Sequence, residues 1–324
     1  MAARVLGPAP ATFVDPRTNA PHLGSFRGPL PPIAPARGAL DEVLRRKRWV
    51  YLAIASETTF VTLAVVRTGY VATSFAFVWD RRDGMLADVS ARAPATKARV
   101  ADDAHVQGSL AMFSKSVRFV QSDTRLDVTA HLDDFALEVS IDHAAGPLIA
   151  AIATLGGDRV SATEKRVMAG ARGSVRAGGR TISLDGARVA LDYTNGWMPR
   201  HTRWRWALAL GKSVDDAPIA LNLTEGFVGE RECALFAGGD VSLLAEPRFS
   251  FEASRPLDPW RLVANGIDLT FSPGGKHEER MNLVAIRSRF LQCVGTFSGT
   301  VVAGGREVRL TDVLGVVEDQ DVLW

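Results

Sequence analysis

Cysteine is almost missing from this chain of 324 residues: Cys233 and Cys293 are the only two. They share no metal-ligand spacing. Two isolated thiols on strand-like stretches point to burial in a reducing compartment rather than to a disulfide framework. His-x-His, HExxH and Cys–His spacings are missing too, so no zinc site and no other metal is expected. There is no G-x-G-x-x-G turn for a Rossmann sheet, and no G-x-S-x-G elbow or phosphate loop. No cofactor is expected. The longest apolar run, Pro147–Leu155, is far short of the ~20 residues of a membrane helix. MAARVLGPAPATFVDP has no apolar stretch before prolines interrupt it, so no signal peptide is expected. These absences describe a soluble cytoplasmic protein, in which the Asn222-Leu223-Thr224 sequon is incidental. Charge of one sign is lacking as well. The net charge is +2 and the basic residues are spread along the chain, which argues against a nucleic-acid partner. The one basic run, Arg45-Arg46-Lys47-Arg48, reads as a solvated lead-in to a strand, with contact to an anionic ligand as the lesser alternative.

Helical periodicity is the other absence. From Trp49 onward the pattern is period two, in runs such as VYLAIAS, TTFVTLAVV, YVATSFAFVWD and FALEVSID, bounded by Gly, Asp, Ser or Thr turns. Five Gly-Gly pairs occur, and those at 178–179, 238–239, 274–275 and 304–305 fall between such runs, where positive φ suits tight hairpins. His277-Glu278-Glu279, just after the fourth pair, reads as a solvated hairpin tip. The fold expected is all-β, with one antiparallel barrel or sandwich per half, since closing a sheet removes its edges. Residues 1–40 form a proline-rich arm, 41–150 a first β-barrel domain and 151–324 a second. The boundary is set at the apolar, glycine-rich connection Ala144–Gly157. Leu40–Arg48 is a candidate short helix. The arm carries Phe13, Leu23, Phe26, Leu30 and Ile33, apolar anchors that favour its lying across a barrel.

Residues 184–227 hold three of the seven tryptophans and a dense mixture of charged and aromatic side chains. The composition points to a lined cavity. Trp204 and Trp206 share one face of a strand and Arg203 and Arg205 the other, while a one-residue slip would exchange them. The tryptophans are core or the aromatic wall of a pocket, with Tyr193, Trp49 and Tyr51 as further lining. Asp192 either caps a turn or, desolvated in an apolar cavity, donates a proton near neutral pH. His201 or Glu225 is its counterpart, and Glu225 is also a candidate ion-pair partner of Arg205. Asn222, unfavourable in mid-strand unless hydrogen-bonded, is a structural tie or a group that orients a ligand together with Arg205.

Several motifs resemble those of a bacterial family, domain of unknown function 2804: TEK (163–165), the DY-T-x-G segment (192–196), PRHTRWRWA (199–207), NLTEGF (222–227), DPWR (258–261) and VGTFSG (294–299). KRWVY (47–51) and the terminal Trp324 agree with it. The resemblance covers residues 45–324 and leaves out the arm. More remotely, Asp185-Gly186 followed by Leu191-Asp192-Tyr193 is similar to tandem lipocalin-like proteins, a group with carotenoid hydratases, tocopherol cyclase and fungal cyclases. That resemblance implies two calycin barrels in tandem, a hydrophobic small molecule as partner, and acid/base chemistry of hydratase, cyclase or isomerase type without a cofactor. A carrier or scavenger without chemistry, and a purely structural module whose tryptophans fill both barrels, stand beside it. Oligomeric state is left open.

Overall fold

The computed structural model describes residues 6–33, 37–102, 108–112, 114–122, 124–142, 146–168, 170–283 and 286–324. The period-two runs form strands, and the one α-helix among the described residues is Ala39–Leu44. That helix is shorter than the candidate, because Arg46 already opens the strand Arg46–Ala55.

The chain divides into two compact units, Gly7–Pro199 and Arg200–Trp324. The connection at which a boundary was expected lies inside the first unit, although Ala144 and Ala145 are outside the described residues. Leu148–Thr154 and Val160–Met168 form a hairpin, and Arg188–Trp197 then inserts between Val160–Met168 and Arg46–Ala55. Residues 148–197 therefore complete a sheet begun at Arg46. Its nine strands run in the order Gly7–Pro8, Gly24–Arg27, Leu148–Thr154, Val160–Met168, Arg188–Trp197, Arg46–Ala55, Thr59–Arg67, Val71–Asp80 and Gly84–Pro94. A second sheet of seven strands, between Ala98–Val100 and Arg180–Ser183, shares its core. Alternation sends Val50, Leu52 and Ile54 into that core against residues such as Phe119 and Val128.

The proline-rich arm is part of this unit. Gly24–Arg27 pairs antiparallel with Leu148–Thr154, and Phe13, Leu30 and Ile33 are buried in the core. The Leu30 amide donates to Glu164 Oε1 at 2.5 Å. Leu23, by contrast, stays exposed.

The basic run is not solvated, which corrects the sequence reading. The buried Arg46 guanidinium donates to Asn195 Oδ1, Glu42 Oε2 and the Ile33 carbonyl at 3.1, 2.8 and 2.9 Å, and lies 4.6 Å from the centre of the Trp197 ring. Lys47 is fully buried and donates to the Leu44 carbonyl at 3.0 Å. Here the pairing of strand with helix end, rather than charge, decides position.

In the second unit nine strands follow the order Asp240–Leu243, Ala234–Ala237, Pro218–Gly226, His201–Lys212, Arg306–Leu323, Ile286–Ala303, Ile267–Leu283, Trp260–Ala264 and Arg248–Ser250. Gly178-Gly179, Gly238-Gly239 and Gly304-Gly305 occupy turns with positive φ, as expected. Gly274-Gly275 does not. It forms a bulge, with the register shifting between Pro273 and Gly275, inside the strand Ile267–Leu283. His277 is consequently a buried mid-strand residue and not a solvated tip. Trp260 is fully buried, stacked on Phe251 with centroids 3.6 Å apart. Cys233 and Cys293 are free and buried, and desolvation raises both thiols, that of Cys293 to about 12. Among the described residues no helix is long and apolar enough to cross a membrane.

Two predictions follow from packing. Gly315 lies opposite Gly295 on one side and Ala209 on the other. A Cβ there would sit 2.2 Å from the Leu208 carbonyl oxygen and 2.7 Å from Phe297 Cε2. Gly315→Ala therefore forces two strands apart, and the expected loss is about 3 kcal/mol or more by denaturant titration. The second concerns Lys47, whose ammonium is pushed down to about 8, first by desolvation and then by Arg45. Between that value and the ordinary 10.5 the unfolded chain holds more proton, so stability rises with pH across this window. Lys47→Met should be more stable than the parent by about 1–2 kcal/mol at pH 7. The advantage should shrink as unfolding is measured toward pH 10.

Candidate functional site

In the Gly7–Pro199 unit, the face of the nine-stranded sheet turned away from the core carries Trp49 and Tyr51 on Arg46–Ala55, because Val50 and Leu52 point inward. Register places Asp192 beside Tyr51 and Lys165 beside Asp192, with Thr194 and Thr163 one step along. Lys165 Nζ lies 2.7 Å from Asp192 Oδ2, and the side chains are 8% and 12% exposed. The Thr194 hydroxyl is 3.0 Å from Thr163 Oγ1 and 3.4 Å from Asp192 Oδ1. The Tyr51 hydroxyl is 3.1 Å from Thr62 Oγ1, and its ring lies 6.3 Å from that of Phe75. Asp192 is thus a mid-strand ion-pair partner, not a turn cap. Desolvating both charges is tolerable because the partner is built into the adjacent strand.

Tyr193 faces the other way. Its ring is in the core, its hydroxyl donates to the Ala101 carbonyl at 2.8 Å, and Asn195 Nδ2 donates to it at 3.2 Å. Desolvation raises the phenol well above its ordinary value. The structure therefore puts Tyr193 and Asp192 on opposite faces.

In the Arg200–Trp324 unit the two faces of His201–Lys212 hold different chemistry. Arg205 shares the core-facing side with Ala207 and Ala209. It donates from Nε to Asp319 Oδ1 at 3.1 Å, and from Nη1 to Glu225 Oε2 at 2.8 Å and the Phe249 carbonyl at 3.1 Å. Arg289 completes the group, donating to Asp319 Oδ2 at 2.6 Å. An open depression of roughly 700 Å³ adjoins it, lined by Arg205, Glu225, Glu246, Arg248, Phe249 and Phe251. Glu225 is the Arg205 partner, one of the two roles open to it. His201 stands apart from this cluster: half-exposed, it lies 2.8 Å from Asp321 Oδ1, while Arg203 Nε lies 3.1 Å from Oδ2 of the same carboxylate.

Trp204 and Trp206 take the face turned away from the core. Trp206 Nε1 donates to Asn222 Oδ1 at 2.8 Å, and Asn222 Nδ2 donates to the Glu232 carbonyl at 2.8 Å, so the mid-strand amide is a tie. Trp204 Nε1 donates to Glu318 Oε1 at 2.7 Å, and Gln292 Nε2 donates to Glu318 Oε2 at 2.9 Å. Sequence reasoning missed Lys165, Gln292 and Glu318. Lys165 was within reach, since it ends the TEK motif and alternation puts it on one face with Thr163. Glu318 sits in an acidic stretch, Glu318-Asp319-Gln320-Asp321, that gives no sign of burial. Among the described residues no three His, Cys, Asp or Glu side chains are grouped to hold a metal ion.

Comparison with solved structures gives a crystal structure of an AttH-type protein from Nitrosomonas europaea, 13% identical, with TM-score 0.47, covering 90% of this chain and 99% of that one. It also gives kievitone hydratase from Nectria haematococca, 12% identical, with TM-score 0.50 and 98% of each chain covered. At 12% identity the likeness to the second is one of fold alone, an all-β fold of tandem lipocalin-like barrels. No curated protein sequence matches the chain. The profile of the domain of unknown function DUF2804 matches residues 9–324, taking in the arm that the motifs left out, and the chain belongs to that family.

Proposed function

We propose that the protein binds a lipophilic small molecule against the Asp192 face of its first nine-stranded sheet and carries out cofactor-independent proton transfer there. The observation that carries this reading is the buried Lys165–Asp192 pair among Trp49, Tyr51 and Phe75. A mostly apolar surface with a few placed polar groups is the usual make-up of a small-molecule site, and ionisable groups held in such surroundings cluster at functional sites.

The donor role first expected of Asp192 falls to its partner. In the ion pair the ammonium holds the proton and the carboxylate can receive one. For addition of water to an activated alkene, Asp192 takes a proton from the attacking water while Lys165 delivers one to the carbon that acquires hydrogen. One proton crossing the 2.7 Å gap then restores the pair. Isomerisation uses the same pair, with the proton removed at one carbon and returned at another. Tyr51 and Thr62 orient the substrate by hydroxyl hydrogen bonds, and Trp49 supplies apolar contact. That a structure of like fold is called a hydratase supports testing hydration first. The buried free thiols fit a reducing, cytoplasmic setting.

The test begins with native mass spectrometry and organic extraction of the purified protein, which should reveal a co-purifying apolar molecule. Incubation with a panel of lipid and terpenoid alkenes should then yield a product heavier by one water. Asp192→Asn should lower turnover about 100-fold or more while the ligand stays bound, and full activity in that variant would end the assignment. Leaving Lys165 buried alone should also cost about 3 kcal/mol or more. The double variant Asp192→Leu/Lys165→Met should regain that stability in denaturant titration and remain inactive. A bound ligand with no product from any substrate would make the protein a carrier.

A further inference from the structure

The second unit has a buried polar row of its own. His277 lies opposite Gln292, Gln292 opposite Glu318, Glu318 opposite Trp206, and Trp206 opposite Thr224. Five adjacent strands thus place five side chains on the face turned away from the core, and all five are buried. The core-facing positions next to them are filled by Leu223, Cys293, Leu291, Ala207 and Val317. At this level both faces are shielded from water, yet only the face turned away from the core is polar, the charged Arg205–Asp319–Glu225 group standing further along on the other side. Burial of an imidazole, a carboxylate and an amide in one line is expensive for a sheet that needs only packing.

The row is also positioned. Trp204 Nε1 and Gln292 Nε2 hold one Glu318 oxygen each, at 2.7 and 2.9 Å, which fixes the plane of the carboxylate. His277 Nε2 lies 3.6 Å from Glu279 Oε1, and its ring meets that of Phe290 edge-on at 5.8 Å. Adjacent strands lie about 4.8 Å apart, so the His277 and Glu318 backbones are roughly 10 Å from one another. The Gln292 amide lies between them, and Trp204, Trp206 and Phe290 flank the line with aromatic surface.

We infer that this row is a recognition site for the hydroxyl or keto group of a lipophilic ligand, with Glu318 and His277 as the hydrogen-bonding pair and the tryptophans as the apolar wall. A carboxylate accepts from a ligand hydroxyl, and an imidazole donates to a keto oxygen or accepts from a hydroxyl. The inference rests on the lipophilic-ligand reading above but not on Asp192 or on any reaction.

Equilibrium dialysis of the full-length protein against 2-naphthol and naphthalene tests it. The pair differs by one hydroxyl, and a hydrogen bond to a charged group should favour 2-naphthol about tenfold or more. Glu318→Gln and His277→Asn should each cut that preference to about twofold or less while leaving naphthalene binding unchanged, with thermal melting checked for both. Equal affinity for the two probes, or an undiminished preference in both variants, overturns the recognition site and leaves the lipophilic-ligand reading standing. Failure of both probes to bind overturns the two together.

Discussion

Strand register is the constraint on which the structure depends. Each nine-stranded sheet has buried side chains on both of its faces, so a group at its middle cannot be shed into water by turning to the other face. A polar side chain on such a sheet survives only if the neighbouring strand presents its complement at the same level. Lys165 beside Asp192, Arg205 between Glu225 and Asp319, and Glu318 between Trp204 and Gln292 all obey this rule. Because side chains alternate with period two, a slip by one residue would part Lys165 from Asp192, Arg205 from Glu225 and Asp319, and Glu318 from Gln292. The polar pairs therefore select the register as much as they occupy it.

The two faces of each sheet divide the work differently from what composition implies. In Trp204-Arg205-Trp206 the arginine, not the tryptophans, turns toward the core side, where it ties Phe249 and Glu225 to Asp319. The tryptophans turn their indole N–H groups to Glu318 and Asn222. Residues next to one another in sequence thus belong to separate clusters, and Asp192 and Tyr193 part in the same way.

The all-β class was legible because period-two runs and glycine turns are local signals, and three of the four inter-run glycine pairs are hairpin turns in the fold. What could not be read locally was pairing between distant strands. The expected domain boundary near residue 150 had apolar, glycine-rich composition in its favour, yet Leu148–Thr154 is a strand of the sheet that Arg46–Ala55 began. Gly274-Gly275 had the composition of a turn and is a bulge, which hid His277. Of the candidate site, Asp192, Tyr51 and Trp49 share a face as alternation allows, and Trp206 meets Asn222. Lys165, Gln292 and Glu318 escaped notice because a charged or amide residue in a strand looks solvated until its cross-strand partner is known.

Strand order carries one more consequence. In each unit the last long strand to be synthesised is an interior strand: Arg188–Trp197 enters between Val160–Met168 and Arg46–Ala55, and Arg306–Leu323 between His201–Lys212 and Ile286–Ala303. A nascent chain that has exposed everything before residue 306 therefore owns two half-sheets of the second unit with open edges and no seam. Both edges are templates for intermolecular pairing until the closing strand emerges. The growing chain passes through this exposed state twice, once for each unit.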